Sequence, residues 1–351
     1  MYTSQPKKML IIDILDILKK YSDEDHRLSQ RDIIDILKNE YDMTADRKAV
    51  KRNLMNLIDY GYDIEYSEST RLNKKGEEET MYTDWYMVRD FTDEELRLLI
   101  DGLLFSKNIP TSQCKDLIVK LECLSNKYFK SKVKHIANLP ENMPKNDQLF
   151  YTISILDEAI GCGRQVSFIY NNYDVDKRLH PRQDDSGDPR EYIVNPYQMV
   201  ATNGRYYLIG NYNKYNNISH YRIDRITNIE LLDMPVKAKN EIADLKYGLD
   251  LPKHMAEHIY MFSGESKRVT FTAPRFLTTE IIDWFGKDVT YENVDRPEMT
   301  VKVMTNVNAM EFWALQYCRY VKVVSPAELA ESIKKDIEIA RENYEEINDA
   351  K

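Results

Sequence analysis

A group of basic side chains with helical spacing has the chemistry needed to bind DNA. It consists of residues one to four positions apart, with one asparagine beside them: Arg47, Lys48, Lys51, Arg52 and Asn53. Residues four apart lie on the same face of a helix, and apolar residues occupy the opposite face of this segment. Arginine and asparagine can pair bidentately with guanine and adenine in the major groove. The pattern therefore predicts a DNA-reading helix. The alternative is a solvated face, since 30% of all residues are charged.

Further DNA contacts are predicted on both sides of that helix. They lie at the start of the preceding helix and in the tip of the following hairpin: Ser29, Gln30, Arg31, Lys74 and Lys75. Ser29 is also expected to cap its helix, whereas the two lysines are expected to reach phosphates.

Three helices and a hairpin must position these residues. Apolar residues recur at helical spacing between residues 6 and 61. The third helix is predicted to open at Thr44 and to stop at Gly61, a residue type that favours helix ends. After Gly61 the period changes to two in a pair of short segments, which indicates a hairpin with a long polar tip. This is the layout of a winged helix–turn–helix, predicted over residues 1–90.

A second group combines positive charge with tyrosines in a β-rich region, residues 165–232. The predicted ligand contacts are Arg, His and Tyr side chains of this region: Arg178, His180, Tyr192, Arg205, Tyr206, Tyr207, His220, Arg222 and Arg225. His220 and Arg222 are two apart and therefore project from one face of a strand. Charge pairing with aromatic stacking suits a nucleotide, a cyclic dinucleotide or single-stranded nucleic acid. The alternative is that these residues pair with nearby aspartates such as Asp224, and spacing alone leaves both open.

About five short strands are predicted to form this region, as a small barrel or curled sheet. Asn203 and Gly204, placed between alternating apolar segments, predict a tight hairpin turn. A mostly helical linker over 91–145 precedes the region, and a connector over 234–263 follows it. Residues 264–351 alternate strands and helices as a small α+β domain. The fold class predicted for the whole chain is therefore α+β and multidomain.

Residues 254–258 read His-x-x-Glu-His, the spacing of one class of zinc protease. On a helix, His254 and His258 would share one face and Glu257 would act as the base. However, the segment is short, follows Pro252 and lies in a connector, and no third ligand stands out. We therefore expect an exposed connector helix here and no metal site.

Other patterns exclude several classes of function. The four cysteines form no C-x-x-C pair, phosphate-cradling glycine loops are missing and no nucleophile elbow occurs, so no enzyme is expected. No apolar run is long enough to span a bilayer and the first residues lack a signal-peptide core, which predicts a cytoplasmic chain without a membrane partner. A net charge of −9 argues against non-specific nucleic-acid binding by the whole molecule but allows a local basic face.

The β-rich region resembles the WYL domain of bacterial transcriptional regulators. Three segments carry the resemblance: 195–200 (NPYQMV), 204–208 (GRYYL) and 221–226 (YRIDRI). The family's aromatic signature falls on Tyr206, Tyr207 and Leu208, with Tyr206 in place of the usual tryptophan. Its basic ligand-contacting positions fall on Arg222 and Arg225. The choice of His220 and Arg178 depends on strand parity and charge alone.

The resemblance covers the whole chain and implies three parts. These are a winged helix–turn–helix, an Sm-like β-barrel over 146–233 that forms the WYL domain, and a C-terminal extension known as WCX, to which 313–326 is similar. It implies a homodimeric regulator that binds operator DNA and senses a negatively charged ligand, a nucleotide or a nucleic acid, without a cofactor. The alternative is a nucleic-acid-sensing effector whose WYL domain binds single-stranded DNA or RNA.

Overall fold

A computed structural model describes residues 7–72, 78–106, 109–129, 146–246 and 248–349 of the chain. The chain divides into two units, Met1–Lys145 and Asn146–Lys351. Within the described ranges, no helix has the length and apolar character that crossing a bilayer requires. Helices and several separate sheets are present in the chain, which confirms the mixed α and β class predicted from the sequence.

Three helices and a hairpin form the first part of the first unit. In chain order they are α1 (Leu10–Tyr21), α2 (Gln30–Glu40), α3 (Arg47–Tyr60), β1 (Ile64–Leu72) and β2 (Glu78–Met87). The two strands are antiparallel. Leu28 exchanges both backbone hydrogen bonds with Trp85, at 2.8 Å each, which adds one short extended segment beside β2. The helices and this small sheet share a core that includes Ile17, Leu54 and fully buried Trp85.

The predicted start of α3 is wrong, whereas its predicted end is confirmed. The helix begins at Arg47 rather than at Thr44, because Asp46 is the residue that caps it. The Oδ1 atom of Asp46 accepts a hydrogen bond of 2.8 Å from the backbone N–H of Ala49. A carboxylate there satisfies an otherwise unpaired N–H and opposes the positive end of the helix dipole. Gly61 ends the helix as predicted, in a left-handed conformation with φ of 112°.

Two helices follow the hairpin, α4 (Asp93–Phe105) and α5 (Thr111–Glu122). The sequence predicts a single helix over about 112–129, but the helix stops at Glu122. The reason is Asn126, whose side-chain oxygen accepts hydrogen bonds from two nearby backbone N–H groups, at 2.9 and 3.1 Å. An asparagine side chain that bonds to nearby backbone competes in this way with a continuous helix.

The second unit opens with helix α6 (Leu149–Cys162) and a bent sheet of six strands. The strands are β3 (Arg164–Tyr173), β4 (Leu179–Pro181), β5 (Glu191–Thr202), β6 (Arg205–Tyr212), β7 (Ser219–Arg222) and β8 (Ile226–Pro235). Their order is β4-β3-β5-β6-β7, and β8 pairs with β3. The sequence analysis misses β4, which has only three residues. The predicted turn at Asn203 and Gly204 is confirmed, with φ of 52° and 69°.

Gly210 allows β5 and β6 to approach closely, and we expect its replacement by alanine to destabilise the second unit. A Cβ atom at this position would lie 2.8 Å from Val194 Cγ1 and 3.0 Å from the Asn195 carbonyl oxygen. Overpacking of this kind costs about 1–3 kcal/mol of unfolding free energy, measurable by urea denaturation. Gly161→Ala is the matched control, because outside the neighbouring backbone of its own helix no atom of the described residues lies within 4 Å of its Cβ position. Equal unfolding free energies for the two variants would contradict this account.

The remainder of the second unit alternates strands and helices. After the short helix α7 (Leu251–Glu257) come β9 (Ser266–Pro274), α8 (Thr278–Phe285), β10 (Thr290–Glu292), β11 (Glu298–Asn306), α9 (Val307–Gln316), β12 (Lys322–Ser325) and α10 (Ala327–Asp349). The sheet order is β10-β11-β9-β12, a split βαβ arrangement. Phe271 and Trp313 are fully buried in its core. The sequence predicts a last helix from Ser325, but the helix begins at Ala327, because Ser325 still pairs with Thr270 in the sheet.

Candidate functional site

The exposed face of α3 carries positive charge. Arg47, Lys48 and Arg52 are exposed, and within the described ranges none of them forms an ion pair. Lys51 differs, because its Nζ atom lies 3.6 Å from the ring centroid of Tyr82 in β2. A cation over a tyrosine ring at this distance is attracted by the ring's negative face. Lys51 therefore links α3 to the hairpin, and the other three side chains point to solvent.

Four of the other residues predicted to contact DNA have partners within the protein. Asn53 donates a 2.8 Å hydrogen bond from Nδ2 to the Ala49 carbonyl, so its amide is engaged by its own helix. Ser29 caps α2 as predicted, and its Oγ accepts from the backbone N–H of Asp32 at 3.2 Å. Gln30 donates to the carbonyl of Tyr82 at 3.4 Å. Arg31 is exposed, and its Nε atom lies 4.0 Å from Oδ2 of Asp35. Lys74 and Lys75 lie outside the described residues.

A buried ion pair lies at the end of β7. Arg222 donates from Nε to Asp224 Oδ1 at 3.0 Å and from Nη2 to Asp224 Oδ2 at 2.6 Å. The 3-10 turn Ile223–Arg225 folds the carboxylate back onto the guanidinium group. Asp224 is fully buried, whereas 15% of the Arg222 side chain is exposed. Bidentate pairs of this kind are strong and fix geometry, so Arg222 is held in place by Asp224.

Arg225 stands in a different situation, although it is only three residues further along the chain. Its Nε atom is buried and has no hydrogen-bond partner in the part of the chain that the structure describes. Burial raises the pKa of the nearby Tyr170 hydroxyl, and the positive charges of Arg225, Arg182 and Arg222 oppose that effect. The guanidinium carbon of Arg182 lies 5.0 Å from the Tyr170 ring centroid. The positive charges of three arginines therefore act on one buried tyrosine hydroxyl, and one of the three, Arg182, lies against its ring.

Tyr207 belongs to the same group. Its pKa is raised, mainly by burial and next by Tyr170 and Asp224, while Arg225 lowers it. We call this group the arginine face, and it consists of Tyr170, Arg182, Tyr207, Arg222 and Arg225. Tyr170 and Arg182 are not among the ligand contacts predicted from the sequence. The structure brings them there because β3 turns back to pair with the three-residue strand β4, directly before Arg182.

Several predicted ligand contacts lie outside the arginine face. The Tyr206 side chain lies on the opposite side of the sheet, where burial and then Asp157 of α6 raise its pKa. Tyr192 is 5% exposed and its ring stacks on Phe168, with 6.0 Å between ring centroids. The strand thus directs the ring of Tyr192, which the sequence predicts as a ligand contact, into an aromatic core.

The remaining positive residues of the prediction also lie outside the arginine face. Arg178 and His180 are exposed near β4, and His180 Nε2 lies 2.9 Å from Asp176 Oδ2. Arg205 is half-buried beside the turn, opposite Thr202.

His220 has partners that the sequence analysis does not foresee. Its Nε2 atom lies 2.8 Å from Nε2 of His254, and its ring centroid lies 5.1 Å from that of His258. His258 is 8% exposed. The expectation of an exposed connector helix at 254–258 is therefore wrong for His258, which packs against β7.

Comparison with known proteins gives one family match. Residues 152–231 match the model of the WYL domain. The curated proteins contain no match to this chain.

The solved structures that are similar to the chain include the following two. Proteasome accessory factor B/C (PafBC) of Arthrobacter aurescens is 15% identical with a TM-score of 0.30, over 97% of this chain and 49% of that one. A CRISPR Cas-related protein is 12% identical with a TM-score of 0.37, over 99% of this chain and 88% of that one. The chain thus spans about half the length of PafBC. Similarities at these TM-scores carry no information on function.

Proposed function

Because residues 152–231 form a WYL domain, we propose that this chain is a DNA-binding transcription regulator whose WYL domain senses a negatively charged ligand. The observation that carries the proposal is the arginine face. It holds Arg182 against the ring of Tyr170 and Arg222 in its pair with Asp224, and the Nε atom of Arg225 is buried without a partner among the described residues. Leaving a buried donor unsatisfied costs about 1–3 kcal/mol, and an anionic acceptor would remove that cost. The proposed role of the arginine face is ligand binding rather than catalysis.

The first unit supplies the proposed DNA-binding part, a winged helix–turn–helix. Two features support this assignment: α3 presents Arg47, Lys48 and Arg52 to solvent, and the hairpin that follows is fastened to α3 through Lys51 and Tyr82. Because the backbone pairing of Leu28 with Trp85 joins the α1–α2 loop to β2, the hairpin is held at its base. A helix and a hairpin held together in this way can contact a groove and the adjacent phosphates at the same time.

The second unit supplies the proposed sensor and the dimer contacts. The sheet β3–β8, with α6 packed against it, supports an Sm-like barrel. The 3-10 turn between β7 and β8 reverses the chain, so that β8 pairs with β3. We assign the split βαβ domain that follows to a WCX extension and to homodimer formation. A cytoplasmic regulator of this design would read two half-sites about one helical turn, or a multiple of it, apart.

Selection of the full-length chain against a random duplex DNA pool at two salt concentrations tests the proposed function. We expect an inverted repeat to be enriched, with a log–log salt slope of about −0.9 for each phosphate contact. The selection is run with and without a panel of nucleotides and cyclic dinucleotides, since a ligand-bound form can be the one that binds DNA. Absence of enrichment under every condition would overturn the DNA-binding assignment.

Arg225→Gln is expected to weaken binding of an anionic ligand without loss of folding. Hydrogen bonds to charged groups contribute about 1.5–3 kcal/mol, so affinity for a cyclic dinucleotide probe should fall about 10-fold to 150-fold. The unfolding free energy should stay the same or rise, because the buried Nε atom has no partner among the described residues to lose. Isothermal titration measures the first quantity and urea denaturation the second.

Arg178→Gln is the matched control for charge, since Arg178 is exposed and outside the arginine face. Equal loss of affinity in both variants would show that total charge, rather than the arginine face, attracts the ligand. A short single-stranded oligonucleotide is titrated in parallel. Tighter binding of the oligonucleotide, lost in Arg225→Gln, would favour the alternative function of a nucleic-acid-sensing effector.

A further inference from the structure

Three of the histidines come together in the second unit, and one of them lies on β7, the strand that also carries Arg222 of the arginine face. His220 lies on β7, His254 lies in α7, and His258 follows the last residue of that helix. One ring nitrogen of each lies within 4.8 Å of the others. The ring centroids of His254 and His258 are 4.3 Å apart, and each is 5.1 Å from that of His220. Two separate elements of the fold thus direct imidazole groups at one point.

The outer nitrogens of two of these rings, His258 and His220, lie against neighbouring groups. His258 Nδ1 lies 2.8 Å from the carbonyl oxygen of Phe262, and a carbonyl only accepts, so this nitrogen carries the proton. The neutral ring then has its lone pair on Nε2. His220 Nδ1 lies 3.5 Å from Ser263 Oγ, which leaves its Nε2 directed at His254. Metal-binding histidines almost always use the second nitrogen in this way, because the outer bond fixes the tautomer and the ring orientation.

Two of the three rings lie in surroundings that lower their pKa. Burial, and then the charges of His258 and His254, holds the pKa of His220 well below its usual range. Burial, and then His258, lowers the pKa of His254 to about 4. Both shifts result from the burial of imidazole groups close to one another.

A cleft gives access to the cluster. It has a volume of about 510 Å³, and its walls include the three histidines together with Asp244, Glu257 and Glu265. Three nitrogen donors and one side open to a cleft are the arrangement in which a divalent metal keeps a fourth position for water or a ligand oxygen. Imidazole donors suit zinc and its first-row neighbours rather than calcium or magnesium.

We propose that His220, His254 and His258 form a binding site for a divalent transition metal, with Zn²⁺ as the expected ion and a fourth position that faces the cleft. The ion links β7, through His220, to α7, through His254, and to the segment between α7 and β9, through His258. Zinc takes nitrogen ligands at about 2.0–2.1 Å in tetrahedral geometry, so small ring rotations bring the three donors onto the ion. His220 is two residues from Arg222 on the same strand, so the ion also steadies that part of the arginine face.

The test uses tag-free, full-length protein stripped with a chelator and titrated with ZnCl₂ against a chromophoric competitor. We expect one equivalent of Zn²⁺ per chain and a higher Tm for the loaded protein. His254→Gln and His220→Gln should each lose about 100-fold or more in affinity. His180→Gln is the matched control, because His180 is an exposed histidine of the same unit. Ser263→Ala should lose about 10-fold, the effect of removing an outer hydrogen bond.

His254→Cys separates loss of the site from loss of folding, because cysteine is also a zinc ligand and should retain the one-to-one stoichiometry. With Co²⁺ in place of Zn²⁺, wild type should show the visible absorption of a tetrahedral site, and His254→Gln should not. Less than half an equivalent of bound Zn²⁺ in wild type would overturn the proposal. So would equal Zn²⁺ affinities for wild type, His254→Gln and His180→Gln.

Discussion

Asp224→Asn is expected to lower the unfolding free energy of the second unit by about 3–5 kcal/mol. The substitution keeps the shape of the side chain but removes the charge that neutralises Arg222, whose guanidinium group is mostly buried. Breaking a buried pair costs this much because it leaves an uncompensated charge away from water. Urea denaturation followed by tryptophan fluorescence measures the loss. A Trp85→Phe background restricts the signal to the tryptophans of the second unit, Trp284 and Trp313.

A second ion pair of the same sheet provides the control. Arg164 also pairs with an aspartate, Asp233, but the Asp233 side chain is 97% exposed. Exposed pairs contribute about 0–1 kcal/mol, so Asp233→Asn should have little effect. If Asp224→Asn and Asp233→Asn lower the unfolding free energy equally, burial does not determine the strength of the Arg222–Asp224 pair.

The same pair changes how mutations of the arginine face should be interpreted. The sequence resemblance makes Arg222 and Arg225 equivalent ligand contacts, but the structure gives them different surroundings. Arg222 is bound to Asp224 on two of its nitrogens, so its removal would disturb folding as well as ligand binding. Arg225 is therefore the residue whose replacement reports on the ligand alone.

Replacing Lys48 and Arg52 together by glutamine is expected to weaken specific DNA binding about 30-fold or more. Both side chains are exposed on α3 and unpaired among the described residues. Each lost base contact costs about 1–3 kcal/mol, and each lost phosphate contact reduces the salt slope by about 0.9. Affinity is measured by fluorescence anisotropy at several salt concentrations, with the duplex enriched in the selection.

Lys115→Gln combined with Lys120→Gln removes the same charge from exposed positions of α5 in the same unit. We expect this control to bind DNA within about 2-fold of wild type at 0.15 M salt, where distant exposed charges are largely screened. A similar loss in both double variants would mean that net charge, and not the exposed face of α3, drives the interaction.

Local patterns in the sequence were sufficient to predict features that depend on neighbouring residues. The i, i+4 spacing of Lys48 and Arg52 predicted a shared helix face, Gly61 predicted a helix end, and Asn203 with Gly204 predicted a turn. Each of these follows from backbone geometry over a few residues. The same reasoning placed the end of α5 incorrectly, because the side chain of Asn126 competes with helix hydrogen bonds.

Contacts between distant segments could not be predicted in the same way. His220 and His254 are 34 residues apart in the chain, and no local pattern indicates that β7 and α7 lie side by side. Arg182 reaches Tyr170 because β4, a strand of three residues, folds back on β3. Asn53 has the right chemistry to read adenine, but its amide is bonded to Ala49 within the helix. In each case, packing of the whole unit decides which partner a side chain meets.

The pairing of Arg222 with Asp224 has a consequence for how this protein can diverge. Loss of either residue alone leaves a buried charge without its partner, whereas replacement of both by apolar residues of similar volume is often neutral or stabilising. Descendants that keep one charge and lose the other should therefore be eliminated, so the two positions change together or remain as they are. Among relatives of this chain, we expect the arginine and the aspartate two positions later to be inherited as a single unit.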